Sequence, residues 1–372
     1  MDDNMQTTVK RRTARKLLAA GIAAAAAAGT TVVASQFASA EEDPATAQTC
    51  SREALPIPEG LVSTSVSGMS DDGSVIAYYA LPLDQSWPDG LGAFPRLYAD
   101  GEVTDVPMPG DHPRIHDVNS SGTGTGYSTN TLGRDVPYIW SDGTLAELPV
   151  AEDGGRALGI NEGGDVVGSG ASFDGGIPLL WPADGSGYVE LTLPDGAISG
   201  SAQDIGDDGT IVGAVYDENG TTSAYTWHPD GTHAALPVPE GADPAESFSL
   251  ATDLNGDWAS GQYFVPGAGT QPLGVRWNLA EGTAERTALD LEVSVSADGT
   301  VAGYVPGTPT LAAYQAGATV VELPGVVDPD ARVHGDYAQE ISADGTLIAG
   351  SVYIETDEAD LPVTNAVVWT CE

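Results

Sequence analysis

Ala157-Leu158-Gly159-Ile160-Asn161-Glu162-Gly163-Gly164-Asp165-Val166-Val167-Gly168 lies near the middle of a 372-residue chain. An apolar run closes on Ile160, a short polar turn ends in glycine, and a valine-rich run follows. That is the pattern of a strand, a tight turn and a second strand. Moving outward, the motif recurs as Met69-Ser70-Asp71-Asp72-Gly73, Val118-Asn119-Ser120-Ser121-Gly122, Ile205-Gly206-Asp207-Asp208-Gly209 and Leu254-Asn255-Gly256. Two further copies are Val295-Ser296-Ala297-Asp298-Gly299 and Ile341-Ser342-Ala343-Asp344-Gly345. Successive closing glycines lie 49, 42, 45, 47, 43 and 46 residues apart. Seven units of near-constant length mark a repeat architecture.

Each unit contains four strand-like runs, which in the third unit are 157–160, 165–168, 178–181 and 188–193. Glycine closes the first turn because it tolerates positive φ. Ser or Asn at the turn's start can bond the following backbone. A second turn carries Asp-Gly, as in Trp140-Ser141-Asp142-Gly143, which is a hairpin signal. Units then close on Leu-Pro, at Leu148-Pro149, Leu193-Pro194, Leu236-Pro237 and Leu323-Pro324. Proline is tolerated on an outermost strand because that strand is an edge. The expected fold is all-β, a seven-bladed β-propeller with four antiparallel strands per blade.

The last unit stops after its third run, at Val368-Trp369-Thr370-Cys371-Glu372. The missing fourth run appears near the other end, where Ala54-Leu55-Pro56-Ile57-Pro58-Glu59-Gly60 resembles Ala235-Leu236-Pro237-Val238-Pro239-Glu240-Gly241. The N-terminal strand is therefore expected to complete the last blade. Cys50 and Cys371, the only cysteines, fall where an unbroken blade would place its hairpin turn. A disulfide between them is predicted to replace that turn.

The unit 157–168 and the strands ending in Trp140, Trp181, Trp227, Trp277 and Trp369 resemble secreted bacterial proteins of HAF-type extracellular repeats. The likeness spans residues 50–372. Here Pro-Tyr, Pro-Leu or Ala-Tyr replaces the family's Ala-Phe, and Tyr98 and Tyr314 stand near the tryptophan position. The resemblance implies a propeller and an extracellular location, and no catalytic residues. WD40-like and TolB-like propellers share the Asp-Gly turn.

Residues 1–40 are expected to be a signal peptide: Lys10-Arg11-Arg12 and Arg15-Lys16 precede an alanine-rich run, and Ala38-Ser39-Ala40 has the small-x-small form of a cleavage site. Residues 41–49 form a short linker and 50–372 the propeller. The whole chain carries 13 Lys and Arg against 54 Asp and Glu, a formal charge of -41. Nucleic acid and anionic lipid would both be repelled, so neither is expected as a partner. After cleavage no membrane association is expected, and the chain is expected to be monomeric.

In a propeller the first strand of each blade lines the central channel. The short turns share one face, and the longer, variable segments 79–94, 127–135, 262–271 and 352–364 share the other. Long loops on a rigid scaffold commonly carry binding. Trp87 on the first of them is either a stacking platform or a residue folded onto its own blade. Counting back along each first strand puts Arg114, Arg156 and Tyr337 at the long-loop mouth, with His112 and His116 beside Arg114, and Arg332 and His334 just ahead of Tyr337. Such a basic spot in an acidic chain suits a carboxylate, for example of a uronic acid. The alternative is that these arginines pair with neighbouring acids and hold blades together. Asp117, Asp204, Asp253 and Glu340, further along the same strands, are candidate oxygen ligands for Ca²⁺, or caps between blades.

Two functions follow. One is a secreted, non-catalytic binding or scaffold propeller presenting its loop-rich face to an extracellular glycan or protein. The other is a lyase or hydrolase acting on an anionic polysaccharide, with His116 or His334 as base, Tyr337 as acid and the two arginines holding the carboxylate.

Overall fold

The computed structural model describes residues 49–82, 93–170, 176–243, 248–264, 272–305, 311–325, 335–356 and 362–372. These residues form seven four-stranded antiparallel sheets, six of which run in chain order from innermost to outermost strand, while the seventh takes its outermost strand from the N-terminal side. Blade one is Leu61–Met69, Val75–Pro82, Phe94–Ala99 and Glu102–Asp105; blade three is Gly155–Ile160, Val166–Gly170, Ile177–Trp181 and Val189–Glu190. The remaining blades follow the same plan, with innermost strands Asp111–Val118, Ala197–Ile205, Phe248–Asn255, Asp290–Val295 and Tyr337–Ile341. Innermost strands touch in cyclic order, and the seventh returns to the first. The seven closing glycines, Gly73, Gly122, Gly164, Gly209, Gly256, Gly299 and Gly345, all adopt positive φ, as the repeat predicts.

Cys50–Ala54 is the outermost strand of blade seven and pairs with Pro362–Cys371. It overlaps the start of the run 54–60 singled out from sequence: Ala54 pairs with Val367, and Leu55 extends the ladder by donating to the Ala366 carbonyl at 2.8 Å. Cys50 stands directly opposite Cys371 with Cα atoms 4.1 Å apart, and the two are disulfide-bonded. Thr49 and Glu372 exchange backbone bonds beyond them, which makes the cysteines a non-hydrogen-bonded pair, the closer of the two antiparallel spacings.

The core sits between blades. Trp181, Trp277 and Trp369 are fully buried, and Trp369 packs with Tyr314 and Leu323 of the preceding blade. A buried indole N–H needs an acceptor. Trp181, Trp277 and Trp369 find one on the carbonyls of Pro149, Pro237 and Pro324 at 2.6, 2.7 and 2.9 Å. Each acceptor is the proline of the preceding blade's closing Leu-Pro. The two repeat motifs are therefore halves of one interblade joint. Trp227 donates to the Thr192 carbonyl at 2.8 Å, so blade three closes in register at Leu191-Thr192, two residues before Leu193-Pro194. Blade one, with Tyr98 at the tryptophan position, uses the Tyr78 hydroxyl to reach the Pro56 carbonyl at 3.1 Å.

Candidate functional site: the axial channel

In blades one to five and blade seven the innermost strand carries a bulge just before its last apolar residue. One residue is left over there, such as His116, Leu158, Gln203 or Thr252. The bulge swings a carbonyl against the second strand. A Cβ on Gly126, Gly168, Gly213, Gly261 or Gly350 would overlap the carbonyl oxygen of Arg114, Arg156, Ser201, Leu250 or Tyr337 respectively. This is the physical reason for the glycine that follows the valines in the repeat.

The bulge also turns the next residue toward the neighbouring blade. The Asp117 carboxylate accepts from the Ile160 N–H of blade three at 2.8 Å. Asp204 accepts from Leu254 at 2.8 Å, Asp253 from Val295 at 2.6 Å, and the Ser294 hydroxyl from Ile341 at 3.2 Å. In blades one and three the same position is Gly68 or Gly159, which has no side chain to offer. There the following blade supplies its own acceptor: the second oxygens of Asp117 and Asp204 take the N–H groups of Val118 and Ile205, each at 2.7 Å. The glycines let those blades close up, since a Cβ on Gly68 would press on the His116 carbonyl and one on Gly159 on Asp204.

These carboxyls line an open-ended cavity of about 100 Å³ at the short-turn end of the channel, together with His116, Asp71 and Glu340. Burial pushes the Asp117 carboxyl up to about 8, raises Asp204 well above the carboxylate range and raises Asp253. Mutual repulsion adds to it, and Asp204 shares a hydrogen bond with Asp253. Asp71 is raised to about 6 by burial and then by Asp253, Asp207 and Glu162. Its carboxylate accepts from Asn255 Nδ2 at 2.9 Å. Blades one and five are not neighbours, so this bond straps the channel across its axis. Among the described residues no three His, Cys, Asp or Glu side chains are arranged to hold a metal ion. The Asp117, Asp204 and Asp253 oxygens are instead spent on backbone N–H groups; Glu340 lies partly buried on the cavity wall.

The other end of the channel is basic and aromatic. Arg114 is exposed and lies over the ring of Tyr79 in blade one, 4.8 Å from its centroid. Arg156 repeats the arrangement on Tyr127 of blade two, also at 4.8 Å. It further bonds the buried Asp135 through Nε at 2.6 Å, with about a third of its side chain exposed (34%). The His116 ring stacks on Tyr127, with centroids 4.9 Å apart and planes inclined by 11°. Its Nε2 is buried with no hydrogen-bond partner. Burial pushes His116 down to about 4, and Arg114 and Arg156 add to the effect.

The predicted mouth residues thus separate. Arg114, Arg156 and His116 come together through Tyr79 and Tyr127, which the sequence reading did not single out. His112 is exposed at φ 51° in the irregular start of its strand. Tyr337 lies edge-on to Tyr304 of blade six, with centroids 5.3 Å apart. Trp87, Arg332 and His334 lie outside the described residues.

No known family profile matches the chain, and no curated protein matches it. Among solved structures it is similar to the β-propeller domain of the Trilobed protease of Pyrococcus furiosus, which has an open velcro topology: 10% identity, TM-score 0.54, covering 82% of this chain and 94% of that one. It is also similar to a TolB-like protein of Agrobacterium tumefaciens, at 12% identity and TM-score 0.44 over 64% of this chain and 88% of the other. A puromycin-hydrolyzing peptidase of Mycobacterium tuberculosis matches at 13% identity and TM-score 0.49, over 81% of this chain and 52% of its own length. Such identities speak for the propeller fold alone.

Proposed function

We propose that the chain is an exported, monomeric, non-catalytic propeller whose loop-rich face binds an extracellular glycan or protein. The basic, alanine-rich residues 1–40 act as its signal peptide. A disulfide at the ring closure suits an oxidising compartment, and no helix among the described residues is long and apolar enough to cross a membrane. The observation that supports binding most directly is Arg114, an exposed guanidinium at the channel mouth that makes no ion pair among the described residues of a strongly acidic chain.

Two of the groups named for acid–base chemistry are packed against other rings. His116, pushed down to about 4, is a weak base at neutral pH and stacks on Tyr127. Tyr337 packs edge-on against Tyr304. The test is a glycan array probed with the purified chain, with and without Ca²⁺, alongside incubation with polyuronates. Retention of glycans without cleavage is expected. Turnover of a polyuronate would replace this reading with the lyase or hydrolase.

A further inference from the structure

The channel is polar along its wall, with guanidiniums at one end and carboxyls at the other. At the long-loop mouth two guanidiniums stand on adjacent innermost strands, each resting on a tyrosine of the preceding blade. Tyr127 stands opposite Arg114 in the sheet register, carries Arg156 on its ring and stacks with His116, so the three belong to one locality. Among the described residues the one carboxylate ion-paired with either arginine is Asp135, which engages Nε of Arg156. That leaves the outer edge of Arg156 and the whole fork of Arg114 as donors, with a net charge of +1 over Arg114, Arg156 and Asp135. Resting on an aromatic ring, a guanidinium is held in plane and loses less freedom when an anion arrives.

Below this mouth the wall is acidic rather than basic. Asp117, Asp204, Asp253 and Asp71 line the cavity, and His116 contributes to the same wall. An occupant with several negative charges would be drawn to the mouth but gain nothing from a carboxyl-lined wall, where Asp71 still ionises at neutral pH. An occupant with one carboxylate and a body rich in hydroxyls suits both. Its hydroxyls donate to carboxyl oxygens.

We propose that the mouth formed by Arg114, Arg156 and His116 is a seat for a single sugar carboxylate, a hexuronate at a chain end or free, with its hydroxyls directed down the channel. This rests on the binding reading above and names its ligand class. Planar carboxylate matches the guanidinium fork in a way that a neutral sugar cannot.

The test is titration of the purified chain with glucuronate, glucose, acetate and an Asp-Glu dipeptide, followed by NMR of the histidine and arginine side chains at low salt. Glucuronate is expected to bind, to move the His116 signals, and to weaken as salt is added. Arg114→Gln should lower its affinity by about tenfold or more, Arg114→Lys should restore part of it, and Arg286→Gln on an outermost strand should change nothing. Absence of glucuronate binding, or equal binding by Arg114→Gln, overturns the proposal. Equal affinity for acetate or for the dipeptide overturns the assignment to a sugar acid. If the array still retains glycans while glucuronate fails, the binding face survives and only this ligand is lost; if both fail, the binding reading itself falls.

Discussion

The two ends of the axial channel are built from the same strands and behave as opposites. At the short-turn end, acidic side chains are half-buried and each is bonded to the backbone of a neighbouring blade. At the long-loop end, basic side chains reach solvent and lean on aromatic rings. Three or four residues of one strand separate the two regimes. A repeat thus divides labour along its length: the bulged end fixes the ring, and the strand starts are free to vary with a ligand.

The sharpest way to break this contrast is to remove an acid from the bulged end. Asp204→Ala strips the acceptor from two backbone N–H groups, those of Ile205 and Leu254. A loss of about 3–5 kcal/mol is expected in denaturant unfolding. A loss below about 1 kcal/mol would mean that the belt is ornamental.

The next effect is on pH. Asp117, Asp204, Asp253 and Asp71 have folded values raised above the unfolded carboxylate, so the stability they lend is complete below about pH 4 and declines as pH rises. The decline extends through about 6 for Asp71 and about 8 for Asp117. Asp72, Asp298 and Asp344 are held below the usual range by serine and threonine partners; burial opposes this, most strongly at Asp298. Their contribution is lost as pH falls through those low values. Thermal melts should therefore peak in mildly acidic buffer and drop by about 2–4 kcal/mol of stability toward pH 9. Asp117→Asn should flatten the alkaline side of that curve.

At the mouth the effects shrink. Arg156→Gln leaves the buried Asp135 without its ion-pair partner, for an expected cost of about 1–2 kcal/mol by chemical denaturation. Arg114→Gln should cost under about 1 kcal/mol, because an exposed cation on a ring is all it loses. A larger destabilisation by Arg114→Gln than by Arg156→Gln would make the mouth structural and erase the contrast.

Much of this fold is legible in sequence because strand alternation, turn glycines and repeat length are local signals. The seam was legible too, since a missing fourth run at one end matches a spare one at the other. The joints were not. Trp181 and Pro149 are each visible as motifs, yet nothing in either says that one donates to the other across a blade boundary. The same long-range logic hides Tyr78 as the stand-in for a missing indole, and shifts blade three from Leu193 to Leu191. Asp117 and its relatives look like metal ligands by spacing alone. Only the bulge, which no propensity encodes, turns them onto the next blade's backbone.

The sulfur–sulfur link between Cys50 and Cys371 makes the polypeptide between them a covalent circle. A protease that cuts any one exposed loop in that circle opens it without releasing a piece. Two cuts are needed before a fragment can leave, and until the link is reduced a nicked molecule keeps both its strands of blade seven at hand for re-pairing.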